Sequence, residues 1–195
     1  MLVEDLQRRQ IDASVRETLG LNSLALQDEF ITISETKKGS PTTVDFMFHE
    51  ISNTKKKHVT INSSGRGFID AIFRGMVDQY SKQYPSLNQI KLKKFTVSTP
   101  GFLDEETASD VEVSLRFEIS NNFFTFSNRS NSIVRSAYCN LLETFQFYIN
   151  CEKCFFVLRN AVKDARERNR SDIVSSCSYK MSNLTKMISY EKFCK

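Results

Sequence analysis

Gly65, Arg66 and Gly67 form a short turn between a predicted strand and a predicted helix. Glycine reaches positive φ and lets a ligand or a neighbouring backbone approach closely. Asp70 and Ala71 follow in the first turn of the helix, whose free N–H groups and partial positive charge suit a carboxylate. The segment predicts a site for a small acid, or else a tight strand-to-helix turn without a ligand.

The residues that commonly bind metals are few and scattered. The chain has two histidines, His49 and His58, each on or beside a predicted strand, and we expect them to be strand or turn residues rather than ligands. Cys151 and Cys154 have the spacing of half a zinc site or of a redox motif, but no second pair accompanies them. They fall in a helical run, which favours two half-buried thiols. We expect no metal and no cofactor.

Catalytic signatures are missing from the sequence. It contains no phosphate-binding P-loop, nucleophile elbow or helical His-Glu-x-x-His motif. We therefore expect a binding or regulatory domain rather than an enzyme.

Composition narrows the class of protein further. The 195 residues are 40% hydrophobic and include sixteen Phe, enough for a folded core. A net charge of +4 falls short of the concentrated basic stripe that nucleic-acid binding requires. Residues 53–57 are predicted to form a polar turn, which places the lysines at 55–57 at a solvated hairpin tip.

The chain lacks the features of a membrane or secreted protein. No stretch approaches the ~18 apolar residues of a membrane helix, and the N-terminus has no apolar signal-peptide core. Five cysteines, an odd number, suit a reducing compartment. We expect a soluble, cytoplasmic protein.

The middle of the chain contains an internal repeat, with one copy over residues 43–80 and the other over 110–145. Each copy predicts an alternating strand, a polar turn, a second strand, a turn of small residues and an amphipathic helix. A further strand before each copy completes a βββα unit. The equivalent pairs are Thr60 and Thr125, Gly65 and Ser130, Ile69 and Val134, Phe73 and Tyr138, Met76 and Leu141, and Val77 and Leu142.

The predicted fold is α+β, with tandem duplicated βββα modules related by pseudo-twofold symmetry. A helix over residues 2–19 lies within an N-terminal extension, 1–27. The duplicated domain spans 28–150, divided into 28–87 and 88–150. Residues 151–195 are predicted to form a helical, basic extension, whose last part is a docked arm, a partner-binding tail or disordered.

Two motifs carry a resemblance to a known family. Residues 65–71 read Gly-Arg-Gly-Phe-Ile-Asp-Ala, and residues 130–137 read Ser-Asn-Ser-Ile-Val-Arg-Ser-Ala. Over about residues 28–150 the chain resembles the LeuA allosteric (dimerisation) domain. This is the C-terminal regulatory domain of the 2-isopropylmalate synthase and citramalate synthase family, whose turns read Gly-x-Gly-Pro-Val-Asp-Ala and Ser/Thr-x-Asp-Ile-Val-x-Ala-Ser. The catalytic barrel of that family is absent, so the chain looks like a stand-alone relative.

The resemblance implies a regulatory function. Family members bind leucine or isoleucine at a dimer interface, and the bound amino acid inhibits a separate catalytic barrel. The resemblance therefore implies a homodimer and a branched-chain amino acid or a similar small acid as effector. The effector-binding residues that it implies are Gly65, Arg66, Gly67, Asp70, Ala71, Ser130, Ser132 and Ser136.

Three residues depart from the family pattern. Phe68 replaces a proline, and Arg135 has no family counterpart. Ser132 replaces an aspartate; a serine can cap a helix but offers no carboxylate to an ammonium group. An alternative function is therefore a degenerate module that kept the dimer scaffold and serves protein–protein interaction, with the C-terminal extension as a further contact for a protein partner.

Overall fold

The computed structural model of the chain describes residues 3–37, 39–99, 110–119, 122–185 and 190. Within them the predicted α+β fold is confirmed, with two βββα units in tandem. The elements, in chain order, are α1 (Val3–Leu19), β1 (Ala25–Ser34), β2 (Thr42–Ser52), β3 (Lys55–Gly65), α2 (Phe68–Tyr80), β4 (Lys91–Ser98), β5 (Val111–Ile119), β6 (Asn122–Ser130), α3 (Ile133–Glu167) and α4 (Ser171–Thr185). Short 3₁₀ turns lie at Gly20–Asn22 and Pro85–Gln89.

The two units repeat each other in strand order and in detail. Each forms a three-stranded antiparallel sheet, in the orders β1-β2-β3 and β4-β5-β6. The first strand of each sheet carries an irregularity at the same place, which leaves Glu29 unpaired in β1 and Lys93 unpaired in β4. A bulge of this kind redirects side chains and increases the local twist.

The hairpin between β2 and β3 closes in two residues. Asn53 and Thr54 have φ of 48° and 64°, the left-handed conformation that tight hairpin turns require. The prediction of a polar turn over 53–57 was therefore wrong in length, since residues 55–57 already belong to β3.

One face of each sheet is buried, as the alternation predicts. Val44, Phe46 and Phe48 of β2 are fully buried, and so are Leu115 and Phe117 of β5. These side chains form one continuous core with α2 and α3. The opposite, outer faces are more exposed and carry polar side chains, because only one face of each sheet is covered by helices.

Helix α3 is far longer than its counterpart α2, with 35 residues against 13. It runs straight through the predicted boundary at residue 150. Its additional turns hold the start of β1, where the side chain of Asn150 accepts from Leu24 N (2.7 Å) and donates to Leu24 O (2.8 Å). Strand β1 consequently begins at Ala25, ahead of the predicted start of the domain at residue 28.

The C-terminal extension is docked over residues 171–185. Helix α4 packs against α3 and α1, and Lys180 Nζ lies 2.6 Å from Glu17 Oε1. Residues 186–189 and 191–195 of the predicted tail lie outside the described residues. No helix in the described part of the chain has the length and apolar character to cross a bilayer.

Candidate functional site

The first strand-to-helix turn depends on a glycine at its entry. A Cβ atom on Gly65 would lie 2.5 Å from Ala71 N and 2.7 Å from Asp70 Oδ2. The close approach expected at this glycine is therefore present, and the approaching group is the first turn of α2 itself. Gly67 has an extended backbone (φ 179°), and a Cβ there would meet nothing within 4 Å. The turn thus requires glycine at position 65 but not at position 67.

Asp70 closes the same turn. One carboxylate oxygen accepts from Arg66 N at 2.9 Å, and the other accepts from Arg74 Nε at 3.0 Å. Ala71 is fully buried, and its carbonyl accepts from Ser63 Oγ at 2.7 Å. Asp70 and Ala71 therefore build the turn, and the carboxylate is already engaged by two donors.

An open cavity of about 800 Å³ lies beside this turn. The connection between β1 and β2, with Glu35 and Lys37, forms one wall, and the turn with Arg66 forms another. Arg74 reaches it from α2. The lining residues are Glu35, Thr36, Lys37, Gly39, Ser40, Pro41, Thr42, Ser64, Gly65, Arg66 and Arg74.

The electrostatics of the cavity favour an anion. Lys37, Arg66 and Arg74 bring positive charge to the lining against the carboxylate of Glu35, and Arg74 is already paired with Asp70. Glu35 itself accepts from Thr42 Oγ1 at 3.0 Å. Among the described residues, the cationic groups of Lys37 and Arg66 have no ion-pair partner, so both are available to a negatively charged ligand.

The second turn, which the resemblance marks as the other half of an effector site, is closed by its own serines. Ser130 Oγ lies 2.8 Å from Ser136 Oγ and 3.0 Å from Ser132 O. Ser132 caps α3 by accepting from Arg135 N at 3.3 Å, and Ser136 is fully buried against Val111 O. These hydroxyls satisfy one another, so they stabilise the turn without a ligand.

The structure separates the eight residues implied by the resemblance. Gly65 and Arg66 line the cavity, while Gly67, Asp70 and Ala71 lie next to it in the turn and the helix. Ser130, Ser132 and Ser136 form the other turn, and every described lining residue of the cavity comes from the first module.

Two cationic residues that line the cavity, Lys37 and Arg74, were not predicted from the sequence. Arg74 follows Asp70 by four residues, a spacing that places both side chains on one helix face, and this signal could have found it. Lys37 lies in a connection whose distance from the turn depends on the pairing of Thr42 with Gly65. No local pattern reveals that pairing.

The cysteine pair lies inside the core. Cys151 and Cys154 are both fully buried on α3, where burial raises the pKa of each thiol above its ordinary value. Protonated, inaccessible thiols are poor metal ligands and poor nucleophiles.

No model of a known protein family matches the chain, and no curated protein matches its sequence.

Proposed function

We propose that this protein is a non-catalytic binding domain that recognises a small organic acid at the turn around Arg66. The observation that carries the proposal is the cavity of about 800 Å³ beside the predicted turn, where Lys37 and Arg66, cationic side chains without an ion-pair partner among the described residues, lie beside the carboxylate of Glu35. The LeuA resemblance supports the same function, since it implies a small acid as regulatory effector.

The lining favours recognition of the acid group over recognition of an apolar side chain. An arginine such as Arg66 can hold a carboxylate through two parallel hydrogen bonds. Hydroxyls of Ser40 and Ser64 surround the same space, and Pro41 is the one non-glycine apolar residue of the described lining. A hydroxy acid, oxo acid or dicarboxylate therefore fits this lining better than leucine or isoleucine does.

Thermal unfolding across a panel of amino acids, 2-oxo acids, 2-hydroxy acids and dicarboxylates tests the proposal. A ligand at 100 times its Kd adds about 2.7 kcal/mol to the free energy of unfolding. For a chain of this size the midpoint then rises by roughly 5–10 °C. The rise should be selective within the panel.

Arg66→Gln should abolish the rise, and Arg129→Gln is its matched control. Arg129 precedes the second turn and pairs with Asp110 at 3.1 Å. Replacement of Gly65 by a larger residue is a poor probe, since the added Cβ displaces α2 whether or not a ligand binds. A flat panel at millimolar ligand, or an equal rise in Arg66→Gln, would contradict the proposal.

A second candidate function is self-association, and strand β4 favours it. Phe95 and Val97 face Leu115 and Val113 in the register of the second sheet, so they lie on its helix-facing side. Leu115 and Val113 are fully buried, yet Phe95 and Val97 are 41% and 39% exposed. An edge strand with exposed apolar residues is a typical association surface.

The oligomeric state tests this second candidate. Sedimentation velocity should show a dimer that Phe95→Lys converts to a monomer. Phe30→Lys is the control, because Phe30 is 48% exposed on the outer face of the first sheet. A monomeric wild-type chain at all concentrations would exclude a homodimer through β4.

A further inference from the structure

Three side chains of the kinds that bind metal ions lie close together on the outer face of the first sheet. His49 of β2 and His58 of β3 are directly opposite in the antiparallel register, and their rings lie 5.4 Å apart at 62°. Glu29 is the bulge residue of β1, and its carboxylate reaches both imidazoles. Each histidine was expected to be a strand or turn residue; both are strand residues, and they lie side by side on adjacent strands.

The separations fit a single metal ion. Glu29 Oε2 lies 3.4 Å from His49 Nδ1 and 3.7 Å from His58 Nδ1. One ligand atom from each residue lies within 4.8 Å of those of the other two. With bonds of about 2.0–2.1 Å, a tetrahedral zinc ion places its ligand atoms about 3.3 Å apart. The three side chains are partly exposed, so rotation about their χ angles can bring the ligand atoms to this spacing.

The ring of His58 is also held in a suitable orientation. Its Nε2 lies 3.3 Å from Thr60 Oγ1. When Nδ1 binds a metal, Nε2 carries the proton and donates a hydrogen bond to this hydroxyl. A hydrogen bond from the second ring nitrogen is the usual support of a metal-bound histidine, since it sets the tautomer and the ring plane.

Solvent can reach the cluster. The side chains of His49, Glu29 and His58 are 20%, 39% and 48% exposed. An ion can therefore enter without any opening of the fold, and water can complete its coordination.

The second module provides an internal comparison. There the bulge residue is Lys93, and it pairs with Glu118 at 2.6 Å, in the position equivalent to the Glu29–His49 contact. The position equivalent to His58 is Phe123. The bulge thus brings the same positions together in both sheets, but two imidazoles and a carboxylate occur in the first sheet alone.

We propose that the first sheet binds a divalent transition-metal ion, with Zn²⁺ as its representative, through Glu29, His49 and His58. Two imidazoles and one carboxylate suit zinc, whereas Mg²⁺ and Ca²⁺ prefer sets of oxygen ligands. The bound ion links β1, β2 and β3 across the sheet. This site is independent of the acid-binding cavity, with which it shares no residue.

Calorimetric titration of the reduced, full-length protein with Zn²⁺ tests the proposal. We expect one ion per chain, a thermal midpoint that rises with Zn²⁺, and no rise with Mg²⁺. Glu29→Gln, His49→Asn and His58→Asn should each weaken binding at least about tenfold, the lower end of the loss seen when even a supporting residue is removed. Glu118→Gln is the matched control and should bind as the wild type does.

Two spectroscopic measurements identify the ligands. The chain has two histidines, so imidazole resonances in the NMR spectrum report on the proposed site directly, and both rings should shift on addition of Zn²⁺. Co²⁺ should give d–d absorption without a thiolate charge-transfer band. Absence of binding, equal binding in the three variants, or a thiolate band would overturn the proposal. Unchanged far-UV circular dichroism would show that the variants are folded.

Discussion

Phe73 of α2 and Tyr138 of α3 occupy equivalent positions in the two repeats, and each contacts an aromatic ring of the other repeat's sheet, Phe73 by stacking and Tyr138 edge-on. The centroid distance is 6.1 Å from Phe73 to Phe117 and 5.7 Å from Tyr138 to Phe46. Each helix therefore covers its own sheet and also fills part of the core of the other. The two modules depend on one another for burial, which agrees with the pseudo-twofold arrangement that the repeat predicts.

These two aromatic contacts between the repeats predict that both modules unfold together. Phe73→Ala should lower the free energy of unfolding by about 2–3 kcal/mol, below the full cost for a core Phe because its ring is half-buried. Urea denaturation should remain a single transition when followed by tyrosine fluorescence and by far-UV circular dichroism. Phe95→Ala, at an exposed ring, is the control and should cost much less. Two separate transitions would contradict the interlocked core.

Local sequence patterns predicted the elements well, for a physical reason. Burial alternates along a strand with a period of two, so Val44, Phe46 and Phe48 mark their buried face without knowledge of the partner strand. The length of α3 could not be predicted from the local pattern in the same way. Its later turns are fixed by distant contacts such as that of Asn150 with Leu24, 126 residues apart.

The histidine cluster shows how a small register error hides a site. A turn over 53–57 sets Ser52 opposite His58 and removes His49 from the pair. The two-residue turn at Asn53 and Thr54 instead brings His49 opposite His58. Nothing in the local pattern distinguishes these registers, because both residues of the short turn must adopt positive φ, and Thr rarely does so.

The first turn predicts a sharp difference between its two glycines. Gly65→Ala should destabilise the protein by about 1–3 kcal/mol, because the new Cβ meets the backbone nitrogen of Ala71, which cannot move without α2. Gly67→Ala should cost less than about 1 kcal/mol, since the space is open and the unfolded chain loses freedom. Chemical denaturation of the two variants measures both effects. Equal costs would show that the turn relaxes around position 65.

Asn150 predicts how strongly α3 anchors β1. Asn150→Ala leaves the buried N–H and C=O groups of Leu24 without their partner, which should cost about 2–4 kcal/mol. Gln146→Ala removes one acceptor, for Leu26 N, and should cost about half as much. Denaturation compares the variants, and hydrogen exchange should show faster exchange of the Leu24 amide in Asn150→Ala. Protection equal to the wild type would contradict this anchoring role.

Glu152 predicts a pH dependence of stability. It is fully buried on α3, where its Oε2 accepts from Ser86 N at 3.2 Å and from Ser86 Oγ at 2.5 Å. Burial raises the pKa of this carboxyl above its ordinary value, and the hydrogen bonds from Ser86 offset part of that rise. Between the unfolded and folded pKa values the native state binds more protons. The stability contributed by Glu152 is therefore present at acidic pH and is lost as the pH rises through the folded pKa.

Glu152→Gln removes the free-energy cost of an ionised carboxylate in the core, because the neutral amide can still accept from Ser86. The gain in thermal midpoint over wild type should accordingly be larger at pH 7 than at pH 4, where the wild-type carboxyl is itself largely protonated. Glu167→Gln, at an exposed position of the same helix, should show no such difference. The pKa of Asp12 is likewise raised by burial, so Asp12 also makes the protein less stable as the pH rises. This effect is present in every variant, so the measured quantity is the difference in thermal midpoint between Glu152→Gln and the wild type at each pH. A gain from Glu152→Gln that is equal at both pH values would mean that the buried carboxyl is already neutral at pH 7.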